Sequence, residues 1–398
     1  MAQPSPYTPG AVAREVPGRN RQLAAIEERL DLLATIGRLV PRIRVDHGPR
    51  GVGKTSLLRQ VEQRAKAKDA DTIWVTAGES SGLVPAIADG AERLVRRWPA
   101  KMKERVTEAL SHLELKVTGG VPGVASIEAG WSAAGGRRRA RGATREFEDL
   151  IVATTQASLD RKHSGLVILI DEVQAADPAS LRTISYAWQH FQSERRDLPV
   201  ALFAAGLPES VGVINAAVSN SERFAYRQLK DLTPDAAAVA LANPARQLGV
   251  GWSADALDAA VRYAAGYPHT VQLIGENAWQ HAGFPDSGAT IKREHVEAAA
   301  ADVEEDLREL FTARLSKVTR QVELDFVLAM ARLGDGPVRR STIAAEMGKP
   351  TDALGVPRSR LIGAGIITDS SHGYLEFTVP GFAAFVRDVH DLELVEED

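Results

Sequence analysis

The sequence predicts an α/β fold: a parallel sheet flanked by helices, then a helical region and a smaller unit of three helices and a hairpin. Residues 43–59 read as a strand, a glycine-rich turn and the start of a helix. Leu166 to Ile170 form a short continuous apolar run, typical of a parallel strand covered on both faces. Between these strands apolar residues recur at helical spacing, so strand and helix alternate along the first half of the chain.

With 398 residues the chain has room for two or three domains, and its 44% hydrophobic and 25% charged composition is typical of a globular protein. It contains no cysteine, which excludes disulfides and cysteine-ligated metal centres. The formal net charge of −4 gives no global argument for nucleic-acid binding. No apolar run approaches the roughly 18 residues of a membrane span, and no signal pattern opens the chain, so we expect a cytoplasmic protein without membrane contact.

The glycine-rich turn has the spacing of a phosphate-binding loop, G-x-x-x-x-G-K-[ST]. Glycine permits positive φ, so the backbone can curl its N–H groups around an anion, and the following helix N-terminus favours negative charge. Lys54 would reach the β- and γ-phosphates of ATP, and the Thr55 hydroxyl would bind Mg²⁺. The alternative is a flexible glycine loop before an ordinary amphipathic helix. The predicted nucleotide-binding residues of the loop are Gly48, Pro49, Arg50, Gly51, Val52, Gly53, Lys54, Thr55 and Ser56.

The apolar strand at 166–170 ends in two carboxylates, Asp171 and Glu172. Ligands of parallel α/β sheets bind at the carboxyl edge of the strands, so Asp171 is predicted to share the Mg²⁺ with Thr55, and Glu172 to polarise an attacking water. The alternative is an acidic pair that caps the next helix, although Asp177, followed by proline, itself resembles an N-cap. Together with the phosphate loop, this strand predicts a nucleoside triphosphatase site.

Residues 1–15 are proline-rich with little to bury, which predicts a disordered lead-in. A Val16-Pro17-Gly18 turn and a helix then precede the Gly-Pro-Arg-Gly-Val-Gly-Lys-Thr loop. This combination resembles P-loop NTPases of the AAA+/STAND group, especially the archaeal-type ATPases related to origin-binding initiators. The resemblance implies that Val16, Pro17 and Gly18 line the adenine pocket, and that the sheet has the strand order 5-1-4-3-2.

The apolar pattern predicts the other elements of the ATPase core, residues 16–230. They are a helix with Leu23, Ile26, Leu30 and Leu33, a helix at about 55–68, a strand at 72–76, helices with Leu83, Ile87, Leu94 and Trp98 and with Val106, Leu110 and Leu113, a helix at about 144–161, a helix with Leu181, Ile184, Trp188 and Phe191, and a strand at 200–204. Residues 114–141 interrupt the pattern as an insert, whose glycine-rich part at 114–136 fits a hairpin or a mobile loop equally.

The densest basic run of the chain closes this insert, with Arg137, Arg138, Arg139 and Arg141. Such a run suits contact with nucleic-acid phosphates or with an acidic partner. The simpler interpretation, which we favour, is a solvated loop flank before the helix at 144–161.

AAA+ proteins usually place a polar sensing residue near the end of the strand at 200–204. Here the sequence continues Ala-Ala-Gly-Leu-Pro, so a sensor-1 side chain is not evident. Downstream, residues 221–227 resemble the segment that carries the arginine finger, with Arg223 the better match and Arg227 the second. The predicted catalytic residues are therefore Glu172, Lys54 and Arg223. A finger usually acts on a neighbouring subunit's nucleotide, so the resemblance implies a homo-oligomer; the alternative is an arginine that pairs with a local carboxylate.

Residues 231–311 are predicted to be helical throughout and to form a lid, with a break at Gly266-Tyr267-Pro268-His269. In AAA+ lids a sensor-2 arginine often follows a Gly-x-Pro turn, whereas STAND proteins use the turn itself near the base. The resemblance therefore assigns Pro268 and His269 to the nucleotide. Histidine stands where the arginine would be, which favours a switch over a motor; the alternative for His269 is a helix cap.

Residues 312–398 have the layout of a winged helix, with helices at 322–333, 341–347 and 352–364 and a wing hairpin at 366–379. Such a unit can dock its third helix in the major groove of double-stranded DNA. The candidate DNA contacts are Arg340, Arg358 and Arg360. Pro357, inside that helix, argues against this role, and winged helices of STAND ATPases often bind protein or pack on the ATPase core.

Two functions fit these motifs. The first is an AAA+-like ATPase that uses ATP and Mg²⁺, hydrolyses slowly and couples its nucleotide state to a DNA-associated assembly. The second is a STAND-type signalling ATPase whose lid and winged helix bind protein. A metabolic P-loop kinase is a third candidate, but the Asp-Glu pair and the absence of an evident acceptor pocket argue against it.

Overall fold

The computed structural model describes residues 2–13, 15–79, 82–96, 98–117, 133–219, 221–371 and 373–395. The chain divides into two compact units. The sheet unit consists of Arg19–His47 and Leu57–Gln228, and the lid–wing unit consists of Met1–Gly18, Gly48–Ser56 and Leu229–Asp398. Within the described part of the chain, no helix is both long enough and apolar enough to cross a bilayer.

The sheet unit is built on five parallel strands in the order β2-β3-β4-β1-β5. The strands are β1 (Ile43–His47), β2 (Asp71–Thr76), β3 (Leu166–Asp171), β4 (Val200–Gly206) and β5 (Phe224–Gln228). The predicted order 5-1-4-3-2 is confirmed. Every residue of β3 and β4 is buried, which explains why both strands read as continuous apolar runs. The pattern does not reveal β5, because only its first part is apolar and buried.

Seven helices of the described chain flank this sheet or lead into it. They are α1 (Asn20–Ala34), α2 (Lys54–Ala67), α3 (Leu83–Val95), α4 (Ala100–Val117), α5 (Ala133–Asp160), α6 (Pro178–Glu194) and α7 (Ser210–Ala217). Helix α3 ends before Trp98, since Pro99 disfavours helical φ/ψ in the residue preceding it.

The structure corrects two predictions about the insert. Helix α4 continues to Val117, and α5 begins at Ala133, so the arginine run at 137–141 lies inside a helix and does not form a loop flank. Alanine and arginine are both good helix formers, which accounts for the early start of α5. The predicted hairpin or loop falls mainly at 118–132, outside the described residues.

The first part of the lid–wing unit is a helical lid. It contains α8 (Pro234–Gln247), β6 (Gly251–Trp252), α9 (Ala254–Ala264), α10 (Pro268–His281), β7 (Thr290–Ile291) and α11 (Arg293–Leu315). The two short strands pair in parallel. Helix α11 runs through residue 312, so the predicted boundary between lid and winged helix falls within one helix.

The N-terminal segment packs on this lid, in contrast to the predicted disordered lead-in. Tyr7 is buried in the lid core, and its hydroxyl donates to the Leu241 carbonyl oxygen at 2.6 Å. The Tyr7 ring makes edge contacts with Trp252 and Trp279. Among the described residues of 1–15 only Tyr7 is classed as buried, and a single aromatic residue leaves no pattern in a proline-rich sequence.

The second part of the unit contains α12 (Gln321–Arg332), β8 (Val338–Arg339), α13 (Arg340–Glu346), a 3₁₀ turn (Thr351–Leu354), α14 (Gly355–Gly363), β9 (Ile367–Ser371), β10 (Tyr374–Phe377) and α15 (Phe382–Val389). The strands form an antiparallel sheet in the order β8-β10-β9. The first three helices, α12 to α14, followed by the β9–β10 hairpin, have the order expected for a winged helix. Pro357 lies in the first turn of α14, where a missing N–H costs no helical hydrogen bond, so it does not disturb the helix.

Candidate functional site

The backbone of the phosphate loop requires glycine at three positions. Gly51 and Gly53 adopt φ of 77° and 92°, which a residue with a side chain rarely tolerates. Gly48 has no room for a side chain, because an added Cβ would lie 2.7 Å from the Leu229 carbonyl oxygen. The motif glycines therefore set the path of the loop, two through φ and one through packing.

The loop offers the groups that a phosphate needs. Helix α2 begins at Lys54 and has no acidic residue in its first turn, so its N-terminus presents N–H groups and a positive dipole end. Lys54 is 7% exposed, and its ammonium donates to the Pro49 carbonyl oxygen at 2.7 Å. The Thr55 hydroxyl at the same helix start and the carboxylate of Asp171 are the hard oxygen donors that Mg²⁺ prefers. These residues fit ATP with Mg²⁺.

The turn before α10 packs directly against the phosphate loop. The Tyr267 hydroxyl donates to the Arg50 carbonyl oxygen at 2.7 Å, and an added Cβ on Gly51 would lie 2.4 Å from that hydroxyl. Burial raises the pKa of the Tyr267 phenol to about 12, so it remains a donor across the physiological range. The same side chain belongs to the hydrophobic core of the winged helix.

His269 also lies close to Gly51 of the phosphate loop. Its Cβ is 3.1 Å from the position of a Cβ on Gly51, and its Nδ1 is buried with no hydrogen-bond partner. Burial, and then the charge of Arg314, lower the pKa of the imidazole, so His269 is neutral at pH 7. A neutral, unsatisfied imidazole beside the loop is suited to a polar ligand.

The Val16-Pro17-Gly18 turn is also built for close packing. Gly18 has φ of 74°, and an added Cβ would lie 2.6 Å from the Ala236 Cβ of α8. Pro17 lines a cavity of about 460 Å³ beside α8. The Ala13 N–H donates to the Ser56 hydroxyl at 3.1 Å, which joins the segment before the turn to the phosphate loop.

The two carboxylates lie at the carboxyl edge of the sheet. Asp171 is the last residue of β3 and is 7% exposed; its Oδ1 accepts from the Glu172 N–H at 3.0 Å. Strands β1 and β3 both pair with β4, His47 opposite Gly206 and Ile170 opposite Ala204, so they end at one edge. The phosphate loop begins at the residue after His47, directly beyond the carboxyl end of β1.

The structure does not support the alternative in which Glu172 caps the next helix. Glu172 has left-handed φ and ψ of 53° and 39°, and its side chain makes no capping hydrogen bond. Instead, Asp177 caps α6 by accepting from the Ser180 N–H at 2.8 Å, and its second oxygen accepts from the Leu83 N–H at 2.9 Å. Asp177 therefore caps both α3 and α6, and Glu172 takes no part in capping.

Sequence reasoning missed Gln174. Its amide donates to a Glu172 carboxylate oxygen and accepts from the Leu207 N–H at 2.9 Å, just past the end of β4. The spacing Asp-Glu-x-Gln directly after a buried strand was the available signal, but nothing in the sequence shows that the amide reaches β4.

The candidate finger arginines make contacts within the sheet unit. Arg223, the last residue of a 3₁₀ turn before β5, donates to the side-chain oxygen of Gln192, and its Nε is buried without a partner. Arg227 is exposed and donates to the Tyr226 carbonyl oxygen. The local partner of Arg223 is an amide and not the carboxylate of our alternative, so its role as a finger stays a prediction.

The candidate DNA contacts in the winged helix are largely engaged in ion pairs. Arg358 pairs with Asp369 of β9, and Arg360 lies 3.4 Å from the buried carboxylate of Glu323. Arg340, half-buried at the start of α13, donates its backbone N–H to the Gly373 carbonyl oxygen. These pairs reduce the positive charge that α14 presents to solvent.

The sheet, the phosphate loop and the acidic strand end define a P-loop ATPase of the AAA+ type. Comparison by sequence agrees, because residues 15–203 match the AAA ATPase domain family. The matched stretch contains the phosphate loop and the acidic end of β3, and it resembles an ATPase domain of that family. Residues 308–386 match a domain of unknown function, and no curated protein matches the sequence.

Three solved structures resemble the chain at low sequence identity, and the first of them shares its fold. A Walker-type ATPase of Pyrococcus abyssi is 16% identical, with a TM-score of 0.58 over 97% of this chain and 99% of that one. A point mutant of RuvB from Thermotoga maritima is 13% identical, with a TM-score of 0.47 over 97% and 100% of the chains. Orc1 of Aeropyrum pernix, in complex with DNA, is 18% identical with a TM-score of 0.42 over 96% and 94%.

Proposed function

We propose that this protein is an ATP-hydrolysing switch in which the lid and the winged helix respond to the nucleotide held by the phosphate loop. The loop residues 48–56 bind the phosphates, and Lys54 balances their charge. The turn at 16–18 supports the base, while Thr55 and Asp171 hold Mg²⁺, which would neutralise charge on the phosphates. Glu172 polarises the attacking water.

The observation that carries the proposal is the hydrogen bond from Tyr267 to the Arg50 carbonyl. The Arg50 carbonyl and the Gly51 N–H belong to one rigid peptide plane. A phosphate that accepts from the Gly51 N–H and a phenol that donates to the Arg50 oxygen therefore polarise the same amide, and each strengthens the other. Because Tyr267 is part of the winged-helix core, nucleotide in the loop stabilises the contact with that core.

Tyr267→Phe tests this coupling, because it removes only the hydroxyl. We expect ATP affinity to fall about fivefold, which corresponds to about 1 kcal/mol of coupling. In wild type, ATP should slow amide hydrogen exchange in α12 to α15, and the variant should lose most of that protection.

Tyr263→Phe is the matched control, since the Tyr263 hydroxyl donates to the Ala300 carbonyl oxygen within the lid. Tyr263→Phe should leave the ATP-induced protection of α12 to α15 from hydrogen exchange intact. Lys54→Ala should remove most ATP affinity in calorimetry, and with it the response. If ATP protects α12 to α15 in Tyr267→Phe as fully as in wild type, the proposed switch is wrong. Unchanged ATP binding in Lys54→Ala would contradict the nucleotide site itself.

The partner of the winged helix is proposed separately. Double-stranded DNA is favoured by cations on its surface, with Arg339 and Lys349 exposed and Arg340 half-buried. A protein partner is favoured by the ion pairs of Arg358 and Arg360 and by the exposed Val356 of α14. DNA binding of the full chain, titrated with salt, separates them. A steep loss of affinity with salt that Lys349→Ala reduces supports DNA, and no affinity at low salt supports the protein partner.

The remaining assignments extend the same proposal. We propose an ATPase core at 16–230, a lid at 231–311 and a winged helix at 312–398. The adenine would contact Val16, Pro17 and Gly18, with Pro268 and His269 near the nucleotide. Arg223 would act on the nucleotide of a neighbouring copy, so particle mass measured with and without ATP tests whether a homo-oligomer forms.

A further inference from the structure

We infer that Gln174 is a positioning residue for ATP hydrolysis, which fixes the carboxylate of Glu172 at the carboxyl end of β3. The inference rests on the proposed role of Glu172 in polarising water. It adds a residue that none of the sequence motifs contains.

The backbone of Glu172 is unusual for a residue with a side chain. Its φ of 53° lies in the left-handed region, which persists only where the surroundings hold it. Two hydrogen bonds do so: the Glu172 N–H donates to Asp171 Oδ1 at 3.0 Å, and its carbonyl oxygen accepts from the Ala175 N–H at 2.8 Å. This turn brings Gln174 beside Glu172, within hydrogen-bond distance of its carboxylate.

Both the nitrogen and the oxygen of the Gln174 side-chain amide form hydrogen bonds. Its Nε2 donates to Glu172 Oε2, and its Oε1 accepts from the Leu207 N–H at 2.9 Å. The Ser210 hydroxyl, which is fully buried, lies 3.5 Å from the same Oε1. Gln174 thus ties the carboxylate to the backbone that follows β4, the neighbouring strand of the sheet.

The end of β4 is shaped for this amide. An added Cβ on Gly206 would lie 2.7 Å from Gln174 Oε1 and 2.2 Å from the Ser210 hydroxyl. Only glycine leaves that space. The sequence lacks the polar side chain expected near this strand end, and the amide of Gln174 takes up the room where such a side chain would project.

The chemistry of the pair suits positioning. A carboxylate accepts at two oxygens, so a bond to Oε2 does not compete with a water at Oε1. The Gln174 amide does not titrate, so it orients the carboxylate without exchanging a proton with it. Holding one oxygen removes rotamer freedom from a long side chain, and a misplaced base costs rate much more than it costs substrate affinity.

Two substitutions test the inference in the full chain. Gln174→Ala removes both hydrogen bonds. Gln174→Glu keeps an acceptor for the Leu207 N–H but faces Glu172 with a second carboxylate. We expect kcat for ATP hydrolysis at pH 8 to fall at least about tenfold in both, with KM within about twofold of wild type. Gln156→Glu, on an exposed position of α5, is the control and should leave both constants unchanged.

The pH profile distinguishes positioning from a purely structural role. Two adjacent carboxyls share a proton, which raises one pKa, so the introduced glutamic acid becomes a donor to Glu172 as pH falls. The kcat of Gln174→Glu relative to wild type should therefore recover toward pH 6, whereas that of Gln174→Ala should not. A parallel loss at all pH values in both variants would overturn positioning in favour of a structural effect.

A double-mutant cycle completes the test. In the Glu172→Gln background, Gln174→Ala should cause no further loss, because the residue acts through Glu172. If the losses of kcat from the two substitutions are additive, the inference is wrong. It is also wrong if both Gln174 variants keep wild-type kcat while Glu172→Gln is inactive. Wild-type hydrolysis in Glu172→Gln would overturn the proposed role of Glu172, and the inference with it.

Discussion

The phosphate loop and the acidic end of β3 form two halves of one predicted site, yet they are specified in different ways. The backbone path of the loop follows mainly from its own glycines, two of which adopt positive φ. The strand end depends on groups far along the chain: Leu207 anchors Gln174, and Leu83 anchors Asp177. A short motif can therefore define the loop, whereas neighbouring elements decide where the strand-end side chains point.

This difference predicts which substitutions act on binding and which act on turnover. Changes in the loop should act first on ATP affinity, because in the proposed function the loop binds the phosphates through its backbone N–H groups. Changes at the strand end should act on hydrolysis or on the packing that holds the side chains. Three substitutions test the contrast, in order of decreasing effect.

Glu172→Gln should give the largest effect and the clearest separation. It keeps the size of the side chain but removes the charge that we propose to polarise water, so turnover should fall about 100-fold or more with ATP affinity nearly unchanged. Phosphate release and calorimetry measure the two quantities. Glu194→Gln, exposed at the end of α6, should behave as wild type. Normal turnover in Glu172→Gln would show that the Glu172 carboxylate takes no part in hydrolysis.

Gly51→Ala should act on the loop. The alanine would adopt φ near 77° and place its Cβ 2.4 Å from the Tyr267 hydroxyl, so the peptide must move. We expect ATP affinity to fall about tenfold, since left-handed backbone strain alone amounts to about 1–2 kcal/mol. Gly212→Ala in α7, where a Cβ has open space, is the control. If both variants bind ATP like wild type, the loop does not depend on the geometry of Gly51.

Asp177→Ala should have the smallest effect and act on stability. Burial raises the pKa of Asp177, but hydrogen bonds from the Ser180 and Leu83 N–H groups outweigh it, so the pKa lies below its ordinary value. Its contribution, about 1–2 kcal/mol for a double cap, is present above the unfolded pKa and is lost as pH falls through the folded pKa.

Urea unfolding at pH 7 and at about pH 3 measures this contribution, with Asp149→Ala on the exposed side of α5 as control. The difference between wild type and Asp177→Ala should shrink at the lower pH. An equal difference at both values would show that the carboxylate charge plays no part in holding α3 and α6.

Local sequence patterns predicted the structure correctly where one residue type favours one backbone conformation. The continuous apolar run of β3 predicted a doubly covered strand, and a short polar residue followed by proline predicted the cap at Asp177. Local patterns failed for Tyr7, whose burial depends on Trp252 and Trp279 more than 200 positions away. They also failed for β5, whose strand character comes from pairing with β1.

The sequence by itself determined the phosphate loop, the acidic strand end and the alternation of strands and helices, because glycine φ preferences and apolar periodicity act over a few residues. Only the tertiary structure decided that Tyr267 binds the Arg50 carbonyl, that Gln174 holds Glu172, and that the Arg358 and Arg360 charges are paired. Side-chain hydrogen bonds join residues that are distant in the chain, and no spacing rule encodes which partners the fold brings together.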